Sequence, residues 1–239
     1  MTRALCLASL VAAMLCAAPA AFARVDGTHL ELSAGITPMF IQDPAYEAFS
    51  ADDLRAERVG ADLRVEVAKL GYIRFVPFIA YRGARDEGSP YGVVDTRFAA
   101  HDFAGGLRIR TWFRSWIGVF LEVEGGVTYV KADGELDDVD DDAPGMRSEY
   151  SDRVATWLVG GLLGLELRLP PAVFKRRNVD WIDFGLEIGG GYLRRGEINL
   201  DPELEGGDDN SLALADPADW GGLNLSGWVV QVMFTVSLF

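Results

Sequence analysis

Proton-transfer chemistry near neutral pH has two imidazoles to draw on in this 239-residue chain, His29 and His101. Acyl hydrolysis or transfer would need a nucleophile and a base within reach of each other. No serine stands at a His-x-Ser spacing, and Ser226 meets His101 only if the fold brings them together. No catalytic residue is therefore assigned. Thiolate chemistry is excluded, because Cys6 and Cys16 both lie in the first sixteen residues. The run 133–142, DGELDDVDDD, places Asp138, Asp140, Asp142 and Glu149 at positions 1, 3, 5 and 12 of an EF-hand-like calcium loop. Position 6 is Ala143, where that loop needs glycine for its sharp turn. The four residues are thus the calcium candidates of a chain expected to hold no resident metal or cofactor. This run and a second acidic patch (Asp201, Glu203, Glu205, Asp208, Asp209) read as solvated faces that can share divalent ions with phosphates.

The remaining charges are placed by the pattern around them. Asp62, Arg64 and Glu66 alternate with Val59, Ala61, Leu63, Val65 and Val67. Arg74, Asp102, Arg108, Arg110, Glu122, Glu124, Glu166, Arg168, Asp183 and Glu187 alternate with apolar residues in the same way, and Glu31 does so near the start. Period-two alternation marks β-strands with one apolar and one polar face. Eight such runs appear: 28–37, 58–68, 72–82, 102–113, 116–130, 154–169, 181–194 and 225–239. Most are about 10–15 residues long, against about 5–6 for the usual soluble strand. The segments 38–57, 83–101, 131–153 and 195–224 are long and polar, 69–71 and 114–115 are very short, and 170–180 is intermediate. Long–short alternation is the connectivity of an up-and-down antiparallel barrel with its long connections at one end. Residues 1–23 carry Arg3, an apolar core from Leu5 to Leu15 and Ala21-Phe22-Ala23, which reads as a cleaved signal peptide. Residues 24–239 then form one barrel domain. The formal net charge of −14 argues against nucleic acid as a partner.

A soluble barrel hides its apolar face inside, and a membrane barrel turns it outward. Tyr81, Phe103, Tyr129, Trp157, Tyr192 and Trp228 all sit on the apolar parity at the long-connection end of their strands. Shared height is what an interfacial aromatic girdle requires and what core filling does not. About 11 residues at ~3.3 Å rise and ~45° tilt then span about 25 Å, the height of an outer-membrane apolar band. The expected fold class is an all-β, eight-stranded antiparallel transmembrane barrel.

The signal peptide, the eight amphipathic strands, the alternating connections and the closing GWVVQVMFTVSLF together resemble the small eight-stranded outer-membrane barrels of Gram-negative bacteria, of the OmpA, OmpX and OmpW type. Terminal Phe239 resembles the signal read by the barrel-assembly machinery, although it lies on the parity of Ser237 and Thr235 rather than on the apolar one. The resemblance implies a monomer in outer-membrane lipid and lipopolysaccharide, with both termini periplasmic and acidic loops outside. Inward charges survive by pairing, so a salt-bridge ladder is expected, with Glu66 opposite Arg74, Arg108 opposite Glu122 and Arg110 diagonal to Glu122. At eight strands, side chains fill the bore, which implies a plugged barrel with a structural or surface-interaction role. The alternative is a narrow porin-like channel for small hydrophobic solutes, with an apolar pocket of Phe78, Leu158, Leu162, Leu193 and Met233 above the charged floor. Gly106, Gly126, Gly160, Gly164, Gly189 and Gly191 would leave it space. A lipid-A-modifying enzyme is the third reading, and the lack of a catalytic constellation speaks against it.

Overall fold

The computed structural model describes residues 29–50, 54–88, 94–136, 149–169, 181–200, 203–204 and 221–238. Eight antiparallel strands close into a barrel. β1 comprises Leu30–Ile36 and Met39–Ile41, and β2 comprises Arg55–Ala56 and Arg58–Val65. They are followed by β3 (Ile73–Gly88), β4 (Val94–Arg114), β5 (Ile117–Leu136), β6 (Glu149–Arg168), β7 (Ile182–Arg195) and β8 (Gly227–Leu238). β8 pairs back onto β1, from Leu30 opposite Leu238 to Ile36 opposite Val232. Closure leaves no open sheet edge around the wall, so each backbone donor and acceptor of the band can find a partner within the barrel.

Paired residues lead from Glu31 through Arg64, Phe78, Gly106, Glu124, Gly160, Leu193 and Gly227 back to β1 at Ile41, ten residues further along. That stagger tilts the strands by roughly 40° to the barrel axis. Two prolines mark the breaks in the ladder, since neither can donate a backbone hydrogen bond. Pro38 separates the two parts of β1, and Met39–Ile41 continues against β8 in the same register. Pro77 in β3 faces the point where β2 gives way to Ala68–Leu70, which pairs one residue out of step with β3. The two-residue turn Gly71-Tyr72 then reverses the chain, with Gly71 at φ 61°, a conformation that glycine adopts without a Cβ penalty.

The outer wall is apolar. Ile79, Leu121, Val123, Leu163, Leu165, Ile188 and Phe234 are among its exposed side chains. The six aromatics expected as a girdle lie toward the long-connection end: Phe103, Tyr129, Trp157 and Trp228 are each more than half exposed, and Tyr81 and Tyr192 partly so. Tyr81 packs on Phe103 at 5.2 Å and Tyr192 on Trp228 at 5.4 Å between ring centroids. A second set of exposed aromatics, Tyr72, Phe113, Trp116 and Trp181, rims the short-turn end.

The long segments expected as connections contain further strand. Segments 83–101 and 131–153 read as connections in the sequence, yet β3 runs on to Gly88, β4 begins at Val94, β5 reaches Leu136 and β6 begins at Glu149. These extensions carry charge on their outer face, which hides the apolar–polar contrast that marks a strand in sequence. Segment 38–57 likewise contains the upper parts of β1 and β2 and a 3-10 helix, Pro44–Phe49. Asp43 caps that helix, its carboxylate accepting from Ala45 N at 3.0 Å and from Asn224 N at 2.7 Å. The signal segment 1–23, Asp138, Asp140, Asp142, most of the second acidic patch and Phe239 lie outside the described residues, as do the side chains of Glu149 and Glu203.

Candidate functional site: the barrel lumen

Alternate residues of every strand point inward, and the tilt stacks them in tiers. At the short-turn end, Glu31 accepts from Arg110 and Arg168 at 2.7 and 2.8 Å. Glu66 accepts from Arg110 at 2.8 Å and from Arg74 at 3.0 Å. Arg168 also holds Glu166 at 2.9 Å and lies 3.7 Å from Asp183, with its guanidinium over the Trp112 ring. In the middle tier, Glu187 accepts from Arg64, from Arg108 at 2.7 Å and from Thr235 at 2.7 Å. Arg64 also bonds Asp62 at 2.6 Å, and Arg108 grips Glu122 through two nitrogens at 2.9 and 2.7 Å. Arg82 joins this tier to the next by pairing with Glu124 while lying 3.6 Å from Glu122 and 3.9 Å from Asp62.

A fourth group closes the ladder; neither its members nor Arg82 belong to the lumen set expected from the sequence, although Asp102 lies on the polar side of its run. Asp102 accepts from Arg58, from Arg195 at 2.7 Å and from Thr128 at 2.7 Å. Arg58 shares the parity of Asp62 and Arg64, which is the signal that could have found it. Arg195 shares the parity of Asp183 and Glu187 but stands one residue beyond the expected run 181–194, where the sequence reads as a loop. Each cation in these tiers is arginine, whereas Lys69 and Lys131 lie outside the bore. Arginine's planar fork meets several carboxylates at once and loses less freedom per bond than lysine's flexible stem.

Of the expected pairs, Arg108 does lie opposite Glu122. Lys69, not Glu66, lies opposite Arg74, and Glu66 still reaches Arg74 because the ladder steps at Pro77. Arg110 lies opposite Phe120 and reaches across the bore to Glu31 and Glu66 rather than to Glu122.

The apolar residues expected to line an upper pocket are packed. Phe78 and Leu158 form one cluster with Ala80 and Ala104. Leu162 and Leu193 join a larger cap with Met39, Ile41, Tyr46, Phe49, Phe98 and Val229. Met233 is fully buried. Inward glycines are covered rather than open: a Cβ at Gly164 or Gly189 would meet the Phe120 ring, one at Gly106 the Phe78 ring, and one at Gly160 Leu193. Phe120 also supports Arg108, whose guanidinium lies 3.9 Å from the ring centre. Gly164→Val should therefore displace that ring and lower stability by about 1–3 kcal/mol, read as a lower urea midpoint of the refolded barrel.

The cap is the short 3-10 helix turned down over the mouth. Tyr46 and Phe49 pack on Phe98 at 5.5 and 5.6 Å between centroids, and Tyr46 donates its hydroxyl to Asp86 at 2.7 Å. Burial, together with this bond to a carboxylate, pushes the Tyr46 phenol well above its ordinary pKa. The candidate enzyme pair does not assemble. Ser226 is buried and exchanges hydrogen bonds with the Arg195 backbone, while His101 faces the outer wall and pairs through Nδ1 with the Tyr81 hydroxyl at 2.8 Å.

No family model and no curated protein matches the chain. Among solved structures it is similar to Neisserial surface protein A, with 11% identity and a TM-score of 0.43, covering 89% of this chain and 97% of that one. It is also similar to the attachment invasion locus protein Ail of Yersinia pestis, with 10% identity and a TM-score of 0.41, covering 88% and 97%. A major outer membrane protein from Thermus thermophilus gives 10% identity and 0.44, covering 89% and 99%.

Proposed function

We propose that the chain spans a bacterial outer membrane as a barrel closed to solutes, and that its role is structural or one of surface interaction. The observation that carries this reading is the inversion of the wall: apolar side chains face out between two aromatic rims, while the arginine–carboxylate ladder faces in. The start of β1 and the end of β8, Leu30 and Leu238, pair with each other at the short-turn end, which this reading puts in the periplasm. The long connections then emerge at the cell surface. The ionic tiers and the apolar cap support a closed bore rather than a passage for hydrophobic solutes.

Conductance across a planar bilayer tests this role. The refolded protein should give no steady ionic current, because each tier is bridged by direct ion pairs. A reproducible open state, blocked by a small hydrophobic solute, would instead favour the channel reading.

A further inference from the structure

The outer face just above the aromatic rim changes composition row by row. Across β3, β4, β5 and β6, one row of paired outward residues reads Tyr81, Phe103, Val127 and Trp157. The next reads Gly83, His101, Tyr129 and Ala155, and the one after it Arg85, Ala99, Lys131 and Arg153. On the outer face of these four strands acidic side chains enter only one row higher, with Glu87, Arg97, Asp133 and Ser151. The first charged row beyond the rim is therefore cationic on these strands.

Of that row's cations only Lys131 is paired among the described residues. Lys131 and Arg153 are directly opposite on neighbouring strands, an arrangement that destabilises a sheet unless an anion sits between or above the pair. Arg85 and Arg153 are exposed, and neither makes an ion pair with a carboxylate among the described residues. Lys131 has Asp133 at 2.6 Å in the row above. Glu57, in the strand next to Arg85, is held by Arg55 at 3.0 Å. Each of the three cations stands two to four residues beyond an aromatic of its own strand, Tyr81, Tyr129 or Trp157. In a membrane barrel the aromatics lie at headgroup level, so the cations stand where lipid phosphates are.

We propose that Arg85, Lys131 and Arg153 form a binding row for the phosphate of an anionic glycolipid in the surrounding leaflet. The inference rests on the membrane reading above and adds the lipid's chemistry and its site. Guanidinium groups bind phosphate oxygens two at a time, and the ammonium of Lys131 supplies a point charge between them. The acyl chains would lie on the apolar wall below, beside Trp157 and Phe103.

The test uses the full chain refolded in neutral detergent micelles, with folding checked by heat-dependent gel migration. Affinity is measured for a diphosphorylated acylated glucosamine disaccharide, for the same lipid stripped of phosphate, and for inorganic phosphate. The phosphorylated lipid should bind about tenfold or more tightly than the stripped one, given three cations at the surface. The variant Arg85→Gln/Lys131→Gln/Arg153→Gln should fold and lose that preference, whereas Arg55→Gln should keep it. Equal affinity for the two lipids by a folded barrel, or an unchanged preference in the triple variant, overturns the lipid site and leaves the membrane reading standing. Inorganic phosphate binding as tightly as the lipid overturns the lipid as the source. A chain that stays monodisperse in water and does not enter micelles overturns both readings.

Discussion

Glu187→Gln should lower the stability of the refolded barrel by about 3–5 kcal/mol, the usual cost of removing one partner from a buried ion pair. Glu187 is completely buried and accepts from Arg64, Arg108 and Thr235 together. The substitution keeps the side chain's size and removes its charge, so two arginines in the middle of the bore lose their shared counter-ion. Each retains one carboxylate, Asp62 for Arg64 and Glu122 for Arg108, which keeps the loss near that of a single broken pair. Arg64→Gln added to Glu187→Gln restores the charge balance, and the double variant should cost less than the two single losses added together. Urea titration in lipid vesicles, followed by tryptophan fluorescence and gel migration, gives the cycle. A Glu187→Gln loss below about 1 kcal/mol would mean that water, not arginine, surrounds this carboxylate.

Leu163→Arg separates a lipid-facing wall from a water-facing one. Leu163 is 64% exposed on β6, six residues below Trp157, with exposed Leu121 opposite it on β5. In a lipid-spanning barrel this position lies near the middle of the apolar band, where an arginine costs about 2–4 kcal/mol. On a water-exposed surface the same change stays within about 0.5 kcal/mol. The expected result is the larger loss, measured by the same titration. Asp95, exposed on the outer face of β4 above the rim, supplies the comparison: Asp95→Arg should fall in the small range.

Wall and bore differ in how plainly the sequence displays them. Strands whose two faces meet lipid and a charged lumen alternate sharply, and the run from Asp62 to Val67 shows it. In the upper parts of β3 to β6 the outer face carries charge while the inner face packs under the cap, with Phe98, Val130 and Ala132 buried, so the pattern of the wall is lost and strands look like loops. Partners across the bore are harder to read than partners across a turn. Arg108 and Glu122 follow from a short turn, whereas Arg110 with Glu31 and Arg64 with Glu187 depend on strand tilt and on which long side chain reaches furthest. Phe120 goes unremarked because it shares the parity of Glu122, and its place over Gly164 and Gly189 depends on glycines on neighbouring strands. The cap is hidden for a related reason. Tyr46 and Phe49 lie in a polar segment and become a core only once Phe98 is brought beneath them.

Depth-dependent quenching by brominated lipids tests the inversion of the wall most directly. Two variants are needed, one keeping Trp157 as its single tryptophan and one carrying Leu163→Trp as its single tryptophan. Bromines deep in the acyl chain should quench the Leu163→Trp reporter most strongly, and bromines near the headgroup should quench Trp157 most strongly. If neither reporter responds to bromolipid, and both are instead shielded inside a particle that is monodisperse without detergent, the apolar residues face inward and the assignment of wall and bore is reversed.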